Sequence, residues 1–246
     1  CDQAFIASSE WFNQHIFPDI FRAREYLSLG YPRCDALLQK PEDRVWLNTV
    51  PQKRLTQLHN EVGPLWIYMP TYRDDGDNSY QLDLHKLNTL CQQAGRALIL
   101  KFHPFISCKF SDAMGLNANS TALQTLPDLP YLFLFPSAMN IYPWLADAEA
   151  LITDYSSVAF DFLVTDKPIV YYQYDKARYQ TIRGNALVED HDFIAGPLVQ
   201  NQQDLHQALQ KVRENCWKHD WVIDLDIKGF FDNIDHGKLM LAVEKH

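Results

Sequence analysis

The chain has 246 residues, 47% of them apolar, and a formal net charge of −9. That is room for one large domain or two small ones, with enough apolar matter for a buried core, which excludes wholesale disorder. The negative balance also argues against non-specific nucleic-acid binding as the main activity, because neutralising phosphates takes Lys and Arg.

Taken in chain order, residues 3–7 predict a strand and 9–22 a helix. "EYLSLGYPRCD" predicts a strand ending in a turn at Gly30 to Arg33. After Pro41 the pattern is mixed and reads as helical to residue 60. "LWIYM" (65–69) is an apolar strand followed by a polar loop, "PTYRDDGDN". Leu84, Leu87, Cys91 and Ala94 recur at helical spacing. "ALIL" is a buried strand that stops at His103-Pro104, and residues 111–130 are turn-rich with no clear period. "YLFLFP" is a strand, "IYPWLADAE" a short helix, "ALIT" a strand, and "KPIVYY" another. Beyond residue 172 the chain loops through "RGNALVEDHD" to a helix carrying Leu205, Leu209 and Val212.

Strands alternate with helices, and several strands are apolar throughout, so the expected class is α/β with a mostly parallel sheet. The five cysteines, Cys1, Cys34, Cys91, Cys108 and Cys216, are odd in number with no C-x-x-C pair. That pattern points to a reduced, cytosolic setting and away from a cysteine-based zinc site; no metal or cofactor is expected. No apolar run reaches the length of a membrane span, and no signal peptide is visible. The chain opens on Cys1 inside an expected strand, which reads as a fragment whose start has been cut away.

In open α/β sheets, ligands sit beyond the carboxyl ends of the strands. Three polar elbows are expected there: "PTYRDD", "KFHP" and "TDYSS". A helix beginning after "TDYSS" offers free N–H groups to a phosphate. Ser156 and Ser157 could add hydroxyl donors, and Arg73, Lys101 and His103 could add charge. Each elbow alone also has a plainer role: Asp154 or Ser156 as a helix cap, His103 as a packed ring, Arg73 as a solvated loop charge. Residue pattern alone reaches a nucleotide- or phosphate-binding α/β domain.

"GYPRCD", "YMPTYRD", "KFHP", "ITDYSSVAFDF", "KPIVYYQYD" and "RGNAL" occur in an order and spacing that resembles the CDP-glycerol glycerophosphotransferases of teichoic-acid and capsule polymerase type. The resemblance covers about residues 1–200. It implies a GT-B-like architecture of Rossmann-like domains: 1–40 as the end of an acceptor-side domain, and 41–205 as the nucleotide-donor domain. It implies transfer of glycerol phosphate from CDP-glycerol to a hydroxyl of a growing polymer, with release of CMP. CDP-ribitol or a nucleotide sugar is the alternative donor. By position, Thr153, Asp154, Tyr155, Ser156 and Ser157 would contact the donor phosphates, as would His103, the catalytic candidate. Arg73 and Arg183 would be supporting cations, and Asp161 would support Arg183 or a backbone group. The implied partners are the cytidine nucleotide and a lipid-linked polymer acceptor, with the full-length parent peripheral at the cytoplasmic membrane face. The family's upstream "W-H-G-T" type segment, whose histidine looks like the general base, has no match here. This chain is therefore expected to be truncated and inactive in transfer.

The tail, residues 206–246 with the join expected between 200 and 216, resembles another family. "CWKHDWVIDLDIKGFFDNIDHGKLMLAVEKH" is similar to the first catalytic segment of a group II intron reverse transcriptase. Asp226 matches a metal-binding aspartate and Phe231 the aromatic that screens the sugar 2′ position. No Y-x-D-D turn follows Asp226, so neither a working metal site nor functional nucleic-acid binding is expected.

Overall fold

The computed structural model describes residues 4–6, 10–20, 22–40, 43, 49–74, 80–183 and 194–215, with the backbone alone at 49–52, 183 and 213–215. The tail from 216, with Asp226 and Phe231, and the "RGNAL" segment beyond Arg183 lie outside the described residues.

A short parallel pair comes first, β1 (Ala4–Ile6) against β2 (Glu25–Leu27), with Phe5 opposite Tyr26. The helix expected over 9–22 is two pieces, α1 (Glu10–His15) and α2 (Phe17–Ile20). Pro18 explains the break: it has no N–H to extend α1 but is tolerated in the first turn of α2. Phe17 closes this unit, its ring centroid 4.9 Å from that of Phe5 and 5.5 Å from that of Phe12. The turn at Gly30 is formed, with φ +74°, and leads through a 3₁₀ turn (Pro32–Cys34) into α3 (Asp35–Leu38).

After α4 (Thr49–Glu61) the chain builds a seven-stranded sheet. Its strands are β3 (Leu65–Met69), β4 (Ala97–Leu100), β5 (Gln124–Leu126), β6 (Leu129–Leu134), β7 (Ala148–Thr153), β8 (Ile169–Tyr172) and β9 (Leu198–Val199). Their order is β5-β6-β4-β3-β7-β8-β9, parallel throughout except for the antiparallel β5–β6 edge pair. The connecting helices are α5 (Leu84–Ala94), α6 (Pro104–Ala113), α7 (Tyr142–Asp147), α8 (Val158–Phe162) and α9 (Lys176–Arg183), and α10 (Gln202–Asn215) follows β9. The α/β, mostly parallel architecture expected from the sequence is what the chain forms.

The period of two along each strand divides the core in two. Trp66, Tyr68, Leu98, Leu100, Leu132, Leu134, Ile152 and Tyr172 face one side, under Leu87, Leu90 and Cys91 of α5 and Leu205, Leu209 and Val212 of α10. Leu65, Ile67, Ile99, Phe133, Leu151 and Ile169 face the other, under Leu58 of α4, Trp144 and Leu145 of α7, and Val158 and Phe162 of α8. Both faces of the sheet are covered, so its strands are apolar throughout. α5 ends where Gly95 takes a left-handed φ of +64° and its N–H bonds back to Cys91 and Gln92.

Besides α3, four elements were not anticipated. α6 fills residues 104–110, where no element was expected, and the first three residues of the stretch read as turn-rich; Pro104 starts it, and the side chains it buries are Ile106, Ser107 and Ser111, so no apolar stripe marks it. The β5–β6 hairpin turns through Pro127-Asp128, with Asp128 at φ +58°, so the Gly or Asn that usually signals such a turn is missing. α9 has no buried residue among its described side chains, hence no apolar stripe to read. β9 is only two residues long. Among the described residues, no helix is long and apolar enough to cross a membrane.

Candidate active site

The strand order reverses at β3: the chain continues to β4 on one side and later returns to β7 on the other. That junction is where open α/β sheets bind ligands. Because β4, β3, β7 and β8 are adjacent and parallel, the segments that follow them share one rim. Those segments begin at Lys101, Pro70, Asp154 and Gln173. The three expected elbows therefore converge, and a fourth, "QYD" after β8, joins them.

At the centre of the rim lies a sealed polar network. Asp154 accepts from the Thr71 N–H at 2.8 Å, the Thr71 hydroxyl at 2.7 Å, its neighbour Tyr155 N–H at 2.6 Å, and Arg73 Nη1 at 2.8 Å. Arg73 is 1% exposed and also donates from Nε and Nη2 to both carboxylate oxygens of Asp175, at 2.7 and 3.0 Å. Its Nη1 reaches the Thr71 carbonyl at 2.5 Å. The guanidinium lies within 6 Å of the ring centroids of Tyr80, Tyr155, Tyr174 and Tyr179. Tyr155 stacks on Tyr179 at 3.8 Å and donates its hydroxyl to Asp175 at 3.2 Å. Burial works against the charge on Arg73, but Asp175 and Asp154 outweigh it and hold the guanidinium above its ordinary pKa. Burial pushes the Asp154 carboxyl up, against the pull of Arg73 and the Thr71 donors. One cation thus ties together the ends of β3, β7 and β8, and α9 starts directly after Asp175. Tyr80 and Gln81 both take positive φ, of 53° and 46°, a region uncommon for such residues; stacking of Tyr80 on Phe102 at 5.2 Å holds the turn.

Around that network sit the remaining elbow residues. Thr153 is buried and bonds the Met69 carbonyl at 2.7 Å, locking β7 to β3. Ser156 is half-buried and Ser157 exposed; Ser157 is the N-cap residue of α8 and makes no side-chain cap bond. Asp154 does not cap α8 either, since its oxygens are taken by Thr71, Arg73 and Tyr155. His103 is exposed at the start of α6 and makes no side-chain cap bond. Its ring packs beside Tyr72 at 4.9 Å and beside Phe105, which is 68% exposed, at 5.3 Å. Tyr72 precedes Arg73, so the "KFHP" and "PTYR" elbows meet through these rings.

Asp161 sits apart from this rim network, further along α8, and its described partners are Arg33, Tyr142 and Cys34. It is buried and accepts from Arg33 Nε at 2.8 Å and Nη2 at 3.1 Å, and from the Tyr142 hydroxyl at 2.5 Å. The Cys34 thiol adds a contact at 3.4 Å. Burial pushes that thiol up to about 11, and Asp161 adds to the shift. Asp161 therefore holds the "GYPRCD" turn and α7, while the side chain of Arg183, its expected partner, lies outside the description.

Residues 1–224 match the family described as CDP-Glycerol:Poly(glycerophosphate) glycerophosphotransferase. The chain belongs to this family. A teichoic acid glycerol-phosphate transferase from Staphylococcus aureus (strain NCTC 8325 / PS 47) is 27% identical over 220 residues, covering 86% of this chain and 52% of that protein. A teichoic acid poly(ribitol-phosphate) polymerase from Bacillus spizizenii (strain ATCC 23059 / NRRL B-14472 / W23) is 28% identical over 179 residues, covering 69% of this chain and 25% of that protein. The chain spans about half or less of the curated relatives it matches. Among solved structures, a variant of the wall teichoic acid polymerase TagF soaked with CDPG aligns with a TM-score of 0.61 at 22% identity, over 98% of this chain and 57% of that one. At that identity the likeness shows a shared fold.

For this glycerophosphotransferase-family chain, sequence reading missed Thr71, Asp175 and Tyr179 in the rim network, and Arg33 and Tyr142 around Asp161. Asp175 was within reach. It closes the quoted motif "KPIVYYQYD", and the strand-end rule used for the other elbows applies to β8 as well.

Proposed function

We propose that this chain binds a cytidine nucleotide donor, CDP-glycerol, at the rim formed by the ends of β4, β3, β7 and β8. The full-length protein would transfer glycerol phosphate from it to a hydroxyl of a growing teichoic-acid or capsule-type polymer and release CMP. The observation that carries this reading is convergence. Four polar strand ends meet at the switch point of a parallel sheet in a chain of this family.

Within it the residues divide by burial. Arg73, Thr153 and Asp154 hold the elbows in shape, together with Asp175. Ser156 and Ser157, the Tyr155 edge and His103 are the groups that reach the donor phosphates, with His103 nearest the chemistry and Arg183 a further cation. Such a site works by placing the diphosphate in line with the attacking hydroxyl and by neutralising charge as it develops. The acceptor in this reading is a lipid-linked polymer, and the full-length protein works peripherally at the cytoplasmic membrane face. Because one relative carries a ribitol-phosphate polymerase name, CDP-ribitol is the second donor to test. Calorimetric titration with CMP, CDP-glycerol and CDP-ribitol distinguishes the donors.

We infer for residues 216–246 the reverse-transcriptase-like reading given by their sequence; the family match stops at residue 224, short of Asp226. No template copying is expected of this chain, and Mg²⁺-dependent primer extension lost on Asp226→Ala would contradict that.

A further inference from the structure

We propose that Lys101 is a phosphate-binding cation of the donor site, a reading that rests on the function proposed above. Its position comes from strand register. Ala97 and Ile99 of β4 face the side of the sheet covered by α7 and α8. The Lys101 N–H still bonds the Tyr68 carbonyl at 2.9 Å, so the ladder with β3 continues and Lys101 falls on that same face. Phe135 of the same cluster confirms it, its ring centroid 5.2 Å from Nζ. Ser156 and Ser157 enter α8 on this face, and β3 alone separates β4 from β7. Two strand spacings are about 10 Å, a span that a nucleoside diphosphate can bridge.

The partners of Lys101 are incomplete in a particular way. Its Nζ donates to the carbonyls of Pro136 at 3.2 Å and Ser137 at 3.1 Å, which uses two of three N–H donors. Arg33, Arg73 and Arg96 each have a carboxylate partner. Among the described residues, no carboxylate lies within ion-pair distance of Lys101. A half-buried ammonium with carbonyls but no counter-charge is stabilised by an anion from outside. Burial alone pushes its pKa down to about 8; no titratable side chain of β3, β4, β6 or the 136–141 loop adds to that shift. The nearest titratable group along the strand is His103, two residues on.

The sign of the linkage follows. A bound phosphate favours the charged lysine, so above about pH 8 binding takes up a proton and affinity falls as pH rises. CDP is a suitable probe, because its phosphates are already ionised above a pKa of about 6. The experiment titrates CDP into the whole 246-residue chain at pH 7.5 and 9.5, in buffers of different ionisation heat. Wild type should bind about tenfold more weakly at the higher pH, with proton uptake. Lys101→Met should bind about ten- to a hundredfold more weakly at pH 7.5 and take up no proton. Lys101→Arg should stay within a few-fold of wild type at pH 7.5 but lose the uptake, because its guanidinium stays charged. If the Met variant fails to fold by circular dichroism, the Arg variant carries the test. A lysine that merely braces the 136–141 loop would leave CDP binding and its proton uptake unchanged in the Arg variant, and that result overturns the assignment. Binding by a folded Lys101→Met chain equal to wild type overturns it too. If wild type does not bind CDP at all, the proposed function falls, and this assignment with it.

Discussion

Arg73 and Lys101 are two cations on one rim, at the ends of neighbouring strands, and the fold treats them in opposite ways. Arg73 is neutralised twice, by Asp154 and Asp175, and sealed beneath four tyrosine rings. Among the described residues, Lys101 has carbonyl partners and no carboxylate. The first arrangement spends its charge on the protein and shapes the elbows; the second leaves charge for a ligand. A positive residue at a strand end is therefore not by itself a phosphate contact, and its internal partners decide which role it plays.

The largest effect that could break this comparison is on folding. Arg73→Ala would leave Asp154 and Asp175 without their shared counter-ion, at a cost of about 3–5 kcal/mol. Urea unfolding should show it, and a loss below 1 kcal/mol would mean that the network does not hold the rim. An intermediate case sharpens the contrast. Arg33 resembles Arg73 in gripping a buried aspartate with two hydrogen bonds, but its own side chain is 43% exposed. Arg33→Ala leaves Asp161 with the Tyr142 hydroxyl and solvent access, so the expected loss is only about 1–2 kcal/mol. A loss as large as that of Arg73→Ala would show that burial is not what separates them.

The five central strands, β6, β4, β3, β7 and β8, were legible because they are short apolar runs and parallel burial leaves little else for such runs to be. The elbows were legible because ligand position follows from strand polarity. What stayed hidden was pairing. Nothing in the letters says that Arg73 is consumed by Asp175, 102 residues away, or that Asp161 belongs to Arg33, 128 residues away. These contacts depend on which strand ends and helix starts become neighbours in space. α9 escaped notice for a related reason: it is attached through Asp175 and the Tyr155–Tyr179 stack and none of its described side chains is buried, so it carries no hydrophobic period to read.

The central claim is that the donor nucleotide is read at this rim by groups the fold leaves at least partly exposed, Ser156 and Ser157 foremost. It is tested most directly by titrating CDP-glycerol into wild type and into the Ser156→Ala plus Ser157→Ala double variant, with thermal melts run alongside. Ser157 makes no side-chain cap bond and Ser156 Oγ accepts only a long one, 3.4 Å, from the Val158 N–H at the start of α8. Melting should therefore fall only slightly while binding weakens by about 1–3 kcal/mol, the scale for hydrogen bonds to a charged group. Equal affinity in the two proteins, or no binding by wild type, would contradict the account.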